Sequence, residues 1–201
     1  MKLNVQKEDK LKMKFTLKSS STSFANLLRR FAMSQVPTFA IDKVTLYENS
    51  STLFDEYIAH RIGLIPLRMG AGVGEDEEVM FTLDASGPCT VYSSVLSSTV
   101  SKIKVATDRM PLLKLLEAQN LRLEAKAISG IGRKHAKWQA GLAGYKALGD
   151  AEYPSDFEFE VESFMQMPPR EILLKTANII SEKCTLLSKE LAGLKREAKK
   201  K

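Results

Sequence analysis

The sequence predicts an α+β fold, and three patterns predict it. Residues 157–163, FEFEVES, alternate apolar and acidic side chains with the two-residue period of a half-buried strand. Residues 24–35 instead place Phe24, Leu27, Leu28, Phe31 and Ala32 on one stripe of a helix. From Pro169 onwards a second helical stripe runs through Ile172, Leu173, Ala177, Ile180, Cys184, Leu187, Leu191 and Leu194. The middle of the chain is strand-rich.

In order along the chain, residues 10–17 (KLKMKFTL) put Leu11, Met13, Phe15 and Leu17 on one face of a strand and Lys10, Lys12, Lys14 and Thr16 on the other. The polar KSSSTS that follows offers several helix caps. The first helix then runs to about Gln35, and Pro37 stops it because the residue before a proline avoids helical geometry. Residues 38–51 read as a strand with Val44 and Leu46 inward. Thr52, three residues before Asp55, begins a capping-box pattern. Leu53, Phe54, Tyr57, Ile58, Arg61 and Ile62 then fit a short helix, with Gly63 as its C-terminal cap and Pro66 blocking continuation. GAGVGEDEE reads as a flexible acidic loop. It lacks GxxxxGK[ST], so it is no phosphate cradle. Strands follow at VMFTL, CTVYS, SKIKVA and LRLEAKAI. In the last of these, Leu121, Leu123, Ala125 and Ala127 alternate with Arg122, Glu124 and Lys126. SGIGRKHAKWQAG reads as a long glycine-bounded loop.

The last helix begins at Pro169, a residue tolerated in a first turn. Unbroken, it is about 45 Å long at about 1.5 Å per residue. A domain of about 100 residues is only about 33 Å across. Four leucine-sized residues left in water would forgo roughly 6–12 kcal/mol. A second chain finishing the burial is the expectation, unless Gly193 ends the order early.

Composition narrows the function classes. The chain has 201 residues, 44% hydrophobic and 27% charged, which suits one globular domain or two small ones. Net charge is +6, but the last seven residues hold Lys195, Arg196, Lys199, Lys200 and Lys201 against Glu197, a local +4 that leaves +2 elsewhere. The tail reads as a solvated end, with nucleic-acid contact the alternative. Cys89 and Cys184 form no disulfide framework or CxxC site, and with only His60 and His135 a zinc site lacks ligands. No apolar run reaches the length of a membrane span, and MKLNVQKEDK has no signal-peptide core, so the protein reads as cytoplasmic.

No catalytic constellation is visible: there is no GxSxG and no HExxH, and Asp55 and Glu56 point to different sides of their helix. His60, beside Arg61, and His135 read as hydrogen-bonded structural histidines. Trp138, flanked by Lys134 and Lys137, could stack a base, but a lone tryptophan in a cationic loop more often anchors packing or an interface.

Three stretches, FANLLRRFAMSQVPTFAIDKVTLYENSS, LFDEYIAHRIGLIPLR and RKHAKWQAG, followed by FEFEVES and a terminal helix, together resemble one family. It is the family of D subunits of archaeal DNA-dependent RNA polymerase, counterparts of the third-largest subunit of eukaryotic polymerase II and of the amino-terminal half of bacterial α. The resemblance covers nearly the whole chain in order. It implies a discontinuous dimerisation domain, residues 1–48 and 156–201, made of antiparallel strands and two packed helices. A mainly β domain, residues 49–155, is inserted between them. It implies a non-catalytic platform of the nucleotidyltransferase. That platform pairs with small subunit L, docks the second-largest subunit and adjoins small subunits N and P, with DNA met only through the holoenzyme. Phe24, Leu27, Leu28, Phe31, Ile180, Cys184, Leu187 and Leu191 would then face subunit L. Arg29, Arg30, His60, Arg61, Lys137 and Trp138 would dock the large subunits, the arginines by bidentate bonds to carboxylates or carbonyls. Many relatives insert an iron–sulfur domain where this sequence has only LGDAEYPSDF. Four thiolates are lacking, so no cofactor is expected.

Overall fold

The computed structural model describes residues 1–70, 74, 76–149 and 152–198, with side chains as far as residue 194. In chain order its elements are β1 (Lys2–Glu8), β2 (Lys12–Lys18), α1 (Thr22–Ser34), β3 (Pro37–Asn49), α2 (Asp55–Gly63), β4 (Leu67–Met69), β5 (Val79–Ser86) and β6 (Cys89–Tyr92). Then come β7 (Ser97–Ser98), β8 (Ile103–Val105), β9 (Pro111–Leu115), β10 (Asn120–Ile131), β11 (Gly141–Ala147), β12 (Phe157–Ser163) and α3 (Pro169–Ala198).

One sheet joins both ends of the chain in the antiparallel order β1-β2-β12-β11. The two-residue period sorts its faces. Met13, Phe15 and Leu17 of β2 and Phe157, Phe159 and Val161 of β12 are buried on one side, where Phe15 stacks on Phe159 with ring centroids 5.0 Å apart. The alternate residues pair charges across strands: Lys12 with Glu162 at 3.2 Å, Lys14 with Glu160 at 3.3 Å and Lys146 with Glu158 at 2.8 Å. Ala25, Leu28 and Ala32 of α1 and Ile172 of α3 complete this core. The Oγ of Ser21 caps α1, accepting from the Phe24 N–H at 3.2 Å.

The second sheet, β3-β10-β5-β7, carries a separate core. Leu121, Leu123, Ala125 and Ala127 of β10 are buried in it beside Phe39 and Ile41 of β3 and Phe81 and Leu83 of β5. Ile58 and Ile62, one turn apart, seat α2 on it. The pairs β4-β8 and β6-β9 add Leu67, Ile103, Val91 and Leu115 to the same core. Val36 and Ala140 belong to the first core, and Phe39 and Ala127 to the second. Along the chain the first core gives way to the second between Val36 and Phe39, and the second to the first between Ala127 and Ala140. The cause is sheet pairing: β3 hydrogen-bonds to β10, and β11 to β12.

Several local expectations change. β1 had no counterpart in the sequence reading, because an edge strand exposed along its whole length has little apolar pattern to display. Thr52 does not cap α2. Phe54 is the N-cap residue, without a side-chain cap bond, and Asn49 Nδ2 organises the turn by donating to Leu53 O and Asp55 Oδ1 at 2.9 and 2.7 Å. Gly63 is the last helical residue, and Leu64 follows as the cap. Residues 129–141 are not one loop, since β10 continues to Ile131 and a 3₁₀ turn spans Ala136–Trp138. Gly130 permits this, for a Cβ there would lie 2.5 Å from the Trp138 ring. The acidic loop falls partly, and the basic tail's side chains wholly, outside the described residues.

Candidate docking surfaces

Gly193 does not interrupt α3, whose 30 residues give the expected length of about 45 Å. Its first half is seated on the sheet: Ile172 and Thr176 are buried, and Leu173, Ile179 and Ile180 pack against the core. From Ser181 to Leu194 every residue is exposed. Leu187, Leu191 and Leu194 there are 61%, 52% and 61% exposed, and Cys184 is exposed as well. Leu173, Ala177, Ile180, Cys184, Leu187, Leu191 and Leu194 follow one another at alternating spacings of four and three. That is the spacing of a coiled-coil seam, which a second helix covers. Leu186, 60% exposed beside this seam, was not foreseen.

The seam opens at its base into an apolar groove of about 390 Å³ walled by Leu3 and Val5 of β1, Phe24 of α1, and Leu173 and Leu174 of α3. Leu3, Val5 and Leu174 were missed. Only their alternation or helical position, read together with a neighbouring element, marks them. On α1, Leu28 is 8% exposed and belongs to the chain's own core, although it also lines the floor of this groove. Leu28 shares a face with Ala25 and Ala32 at spacings of three and four, and that face lies on the sheet. Phe24, Leu27 and Phe31 are half-buried and retain free surface.

Arg29 and Arg30 stand at the shoulder of α1. Arg29 Nη2 donates to Asn26 Oδ1 at 3.0 Å, one turn back, while Arg30 is exposed. They border an open cleft of about 600 Å³ that also takes in Phe31, Met33, Arg133 and Lys183.

A third surface surrounds His60 and Arg61. With Tyr57, Leu64, Met110 and Pro111 they line a hollow of about 440 Å³. Arg61 Nη2 donates to Pro111 O at 2.6 Å, its guanidinium lies 5.8 Å from the Tyr57 ring centre, and its buried Nε has no partner among the described residues. His60, Tyr57 and Leu64 are exposed, and so is Phe54 at the start of α2, 81% of it. Arg61 thus ties α2 to β9 while presenting an apolar and cationic rim.

The turn at 134–139 differs from expectation. Trp138 is 1% exposed, with Nε1 donating to Ile128 O at 3.1 Å and Lys134 and Lys137 ammoniums 4.9 and 4.3 Å from its ring. It offers neither a docking face nor a platform for a base. Lys137 is also committed inward, donating to Ile41 O at 3.0 Å and Asp42 Oδ1 at 2.8 Å. That contact holds the Asp42 carboxyl below its ordinary pKa. Lys137 thus fastens the turn to β3 and the Trp138 indole fastens it to β10, while Thr38 Oγ1 of β3 donates to Trp138 O at 2.8 Å. Among the described residues no helix is long and apolar enough to cross a membrane, and no group of His, Cys, Asp and Glu could hold a metal ion.

Residues 14–184 match the model of the RNA polymerase Rpb3/Rpb11 dimerisation domain. The chain is 46% identical over 177 residues, 88% of each protein, to DNA-directed RNA polymerase subunit Rpo3 of Methanocaldococcus jannaschii. It is 32% identical over 234 residues to the subunit of the same name from Natronomonas pharaonis, covering 92% of this chain and 95% of that one. To the Pyrococcus furiosus subunit of that name it is 45% identical over 148 residues, which are 70% of this chain but 56% of the relative.

Proposed function

The chain belongs to the RNA polymerase Rpb3/Rpb11 dimerisation family and is a subunit of DNA-directed RNA polymerase, and from that premise we propose how it serves as an assembly platform. The terminal strands with α1 and α3 are the dimerisation unit, which pairs with small subunit L. The middle strands with α2 are a second unit that helps to seat the large subunits. The pair recruits the second-largest subunit, and small subunits N and P adjoin it. The subunit is not itself catalytic, and nucleotide transfer belongs to the complex. The same reading places the protein in the cytoplasm.

The observation that carries this proposal is the exposed seam from Cys184 to Leu194, continuous with the groove between β1 and α3. A helix with an apolar stripe gains stability by burying it. Ile180, Cys184, Leu187 and Leu191, with Phe24, Leu27 and Phe31, are the residues assigned to subunit L. Leu3, Val5 and Leu174 extend that surface. Arg29, Arg30, His60 and Arg61 are assigned to large-subunit docking, where an arginine fork binds carboxylates or carbonyls.

The experiment is expression of the chain alone and together with subunit L. Self-association alone and a soluble 1:1 pair together is the expected result. A well-behaved monomer indifferent to subunit L would refute the pairing. Arg30→Ala should leave the pair intact and weaken its recruitment of the second-largest subunit. Wild-type recruitment would remove Arg30 from the dock.

A further inference from the structure

We propose that the cleft at the shoulder of α1 is a built receptor for an acidic polypeptide segment of the large subunit that docks there. This rests on the docking assignment of Arg29 and Arg30 and adds to it the ligand's chemistry and two further residues, Arg133 and Lys183. Three separate parts of the chain converge on the cleft. Arg29 and Arg30 come from α1, Arg133 from the connection after β10, and Lys183 from the exposed half of α3. The convergence is held by the main chain. The Arg133 N–H donates to Ser34 O at 3.0 Å, and the neighbouring Gly132 lies so close to α1 that a Cβ there would be 2.3 Å from Met33 O.

The cleft gathers four cations from three parts of the chain and no acid. Lys12, Lys14, Lys126, Lys137, Lys146, Arg170 and Lys175 each have a carboxylate within 4.0 Å, while others such as Lys43, Arg109 and Lys114 stand without one among the described residues. Arg29, Arg30, Arg133 and Lys183 have none among the described residues, and no acidic residue lines the cleft. Four cations gathered without a counter-charge repel one another, and an anion brought between them relieves that repulsion. Phe31 and Met33 lie among the cations and give the cleft an apolar wall. A peptide with carboxylates spaced along it and an aliphatic residue between them satisfies both features. Phosphates of a nucleic-acid backbone would use only the cations. The cleft is also continuous with the pairing seam, since Lys183 adjoins Cys184. A segment seated there lies where the large subunit meets the assembled pair.

The test uses the chain paired with subunit L and titrates the second-largest subunit against it at low and high salt. Arg133→Glu should weaken recruitment by about tenfold or more at low salt, less at high salt, with pairing unchanged. Arg133→Gln should show a smaller loss in the same direction and carries the test if the charge reversal disturbs folding. Arg133→Lys should restore most of the affinity. Unchanged recruitment by Arg133→Glu and Lys183→Glu, with Arg30→Ala still impaired, would overturn the acidic-segment receptor and leave the docking assignment standing. If Arg30→Ala is also without effect, both fall. Binding of a short DNA duplex by the pair, lost in Arg133→Glu while recruitment stays intact, would overturn the proposal in favour of nucleic acid.

Discussion

Replacing Leu187 with Asp should separate the stability of this chain from the stability of its pairing. Leu186, Leu187, Leu191 and Leu194 are 60%, 61%, 52% and 61% exposed in the chain by itself. Full burial of a leucine contributes about 1.5–3 kcal/mol, so covering what these four leave open contributes about 4–7 kcal/mol to association. Leu187→Asp removes about 1–2 kcal/mol of that. It also places a carboxylate in the seam, where desolvation without a partner costs about 3 kcal/mol more. The sum, about 4–5 kcal/mol, is roughly a thousandfold in Kd. In the isolated chain the same change touches only an exposed helix surface and should alter folding stability by less than about 0.5 kcal/mol. It should also make that chain more soluble. Titration calorimetry with subunit L reads the first effect, and thermal unfolding at low protein concentration reads the second. An affinity within threefold of wild type would refute the reasoning, and so would a loss of folding stability as large as the loss of pairing.

Other perturbations probe the fold that carries these surfaces. Trp138→Ala should destabilise the chain by about 3–5 kcal/mol, measured by denaturant unfolding, because the indole is wholly buried between β3 and β10. Gly130→Ala should cost about 1–3 kcal/mol by the same measurement, since its methyl would meet the Trp138 ring at 2.5 Å. Asp42→Asn should cost about 1 kcal/mol at neutral pH through the lost bond to Lys137. The Lys137 hydrogen bond lowers the Asp42 pKa, so the unfolded chain takes up the proton first and the bond's contribution is lost as pH falls below the ordinary carboxylate range. Stability of wild type and Asp42→Asn should therefore converge in acid, as pH-dependent unfolding would show.

The elements easiest to read in the sequence were those whose two faces meet different surroundings. β2, β10 and β12 each lay an apolar face on a core and a charged face in water, so their alternation reports the fold directly. α1 and α3 show the helical counterpart. β1 was missed because its apolar side chains, Leu3 and Val5, are only two and stay largely exposed, so their short alternation carries little weight. The joins between the two units could not be read either. β3 and β11 look alike as strands, and only long-range pairing assigns them to different sheets. The exposure of the outer half of α3 was readable from helix length set against domain size. The inward fates of Leu28, Lys137 and Trp138 were not. An apolar stripe does not say which of its members the chain itself will cover, and a lysine beside a tryptophan gives no sign of an aspartate on another strand. Arg133 and Lys183 carry no local pattern and come together only when α1, β10 and α3 are packed.

Hydrogen–deuterium exchange across residues 181–194 tests the central claim most directly, because it asks whether that helix surface is covered, and by what. In the chain alone, diluted until it is monomeric, these amides should exchange rapidly while those of β10 stay protected. On adding subunit L they should become protected by about a hundredfold, with β10 unchanged. Equal protection in a monodisperse lone chain, or a stable pair that leaves 181–194 exchanging freely, would contradict the account.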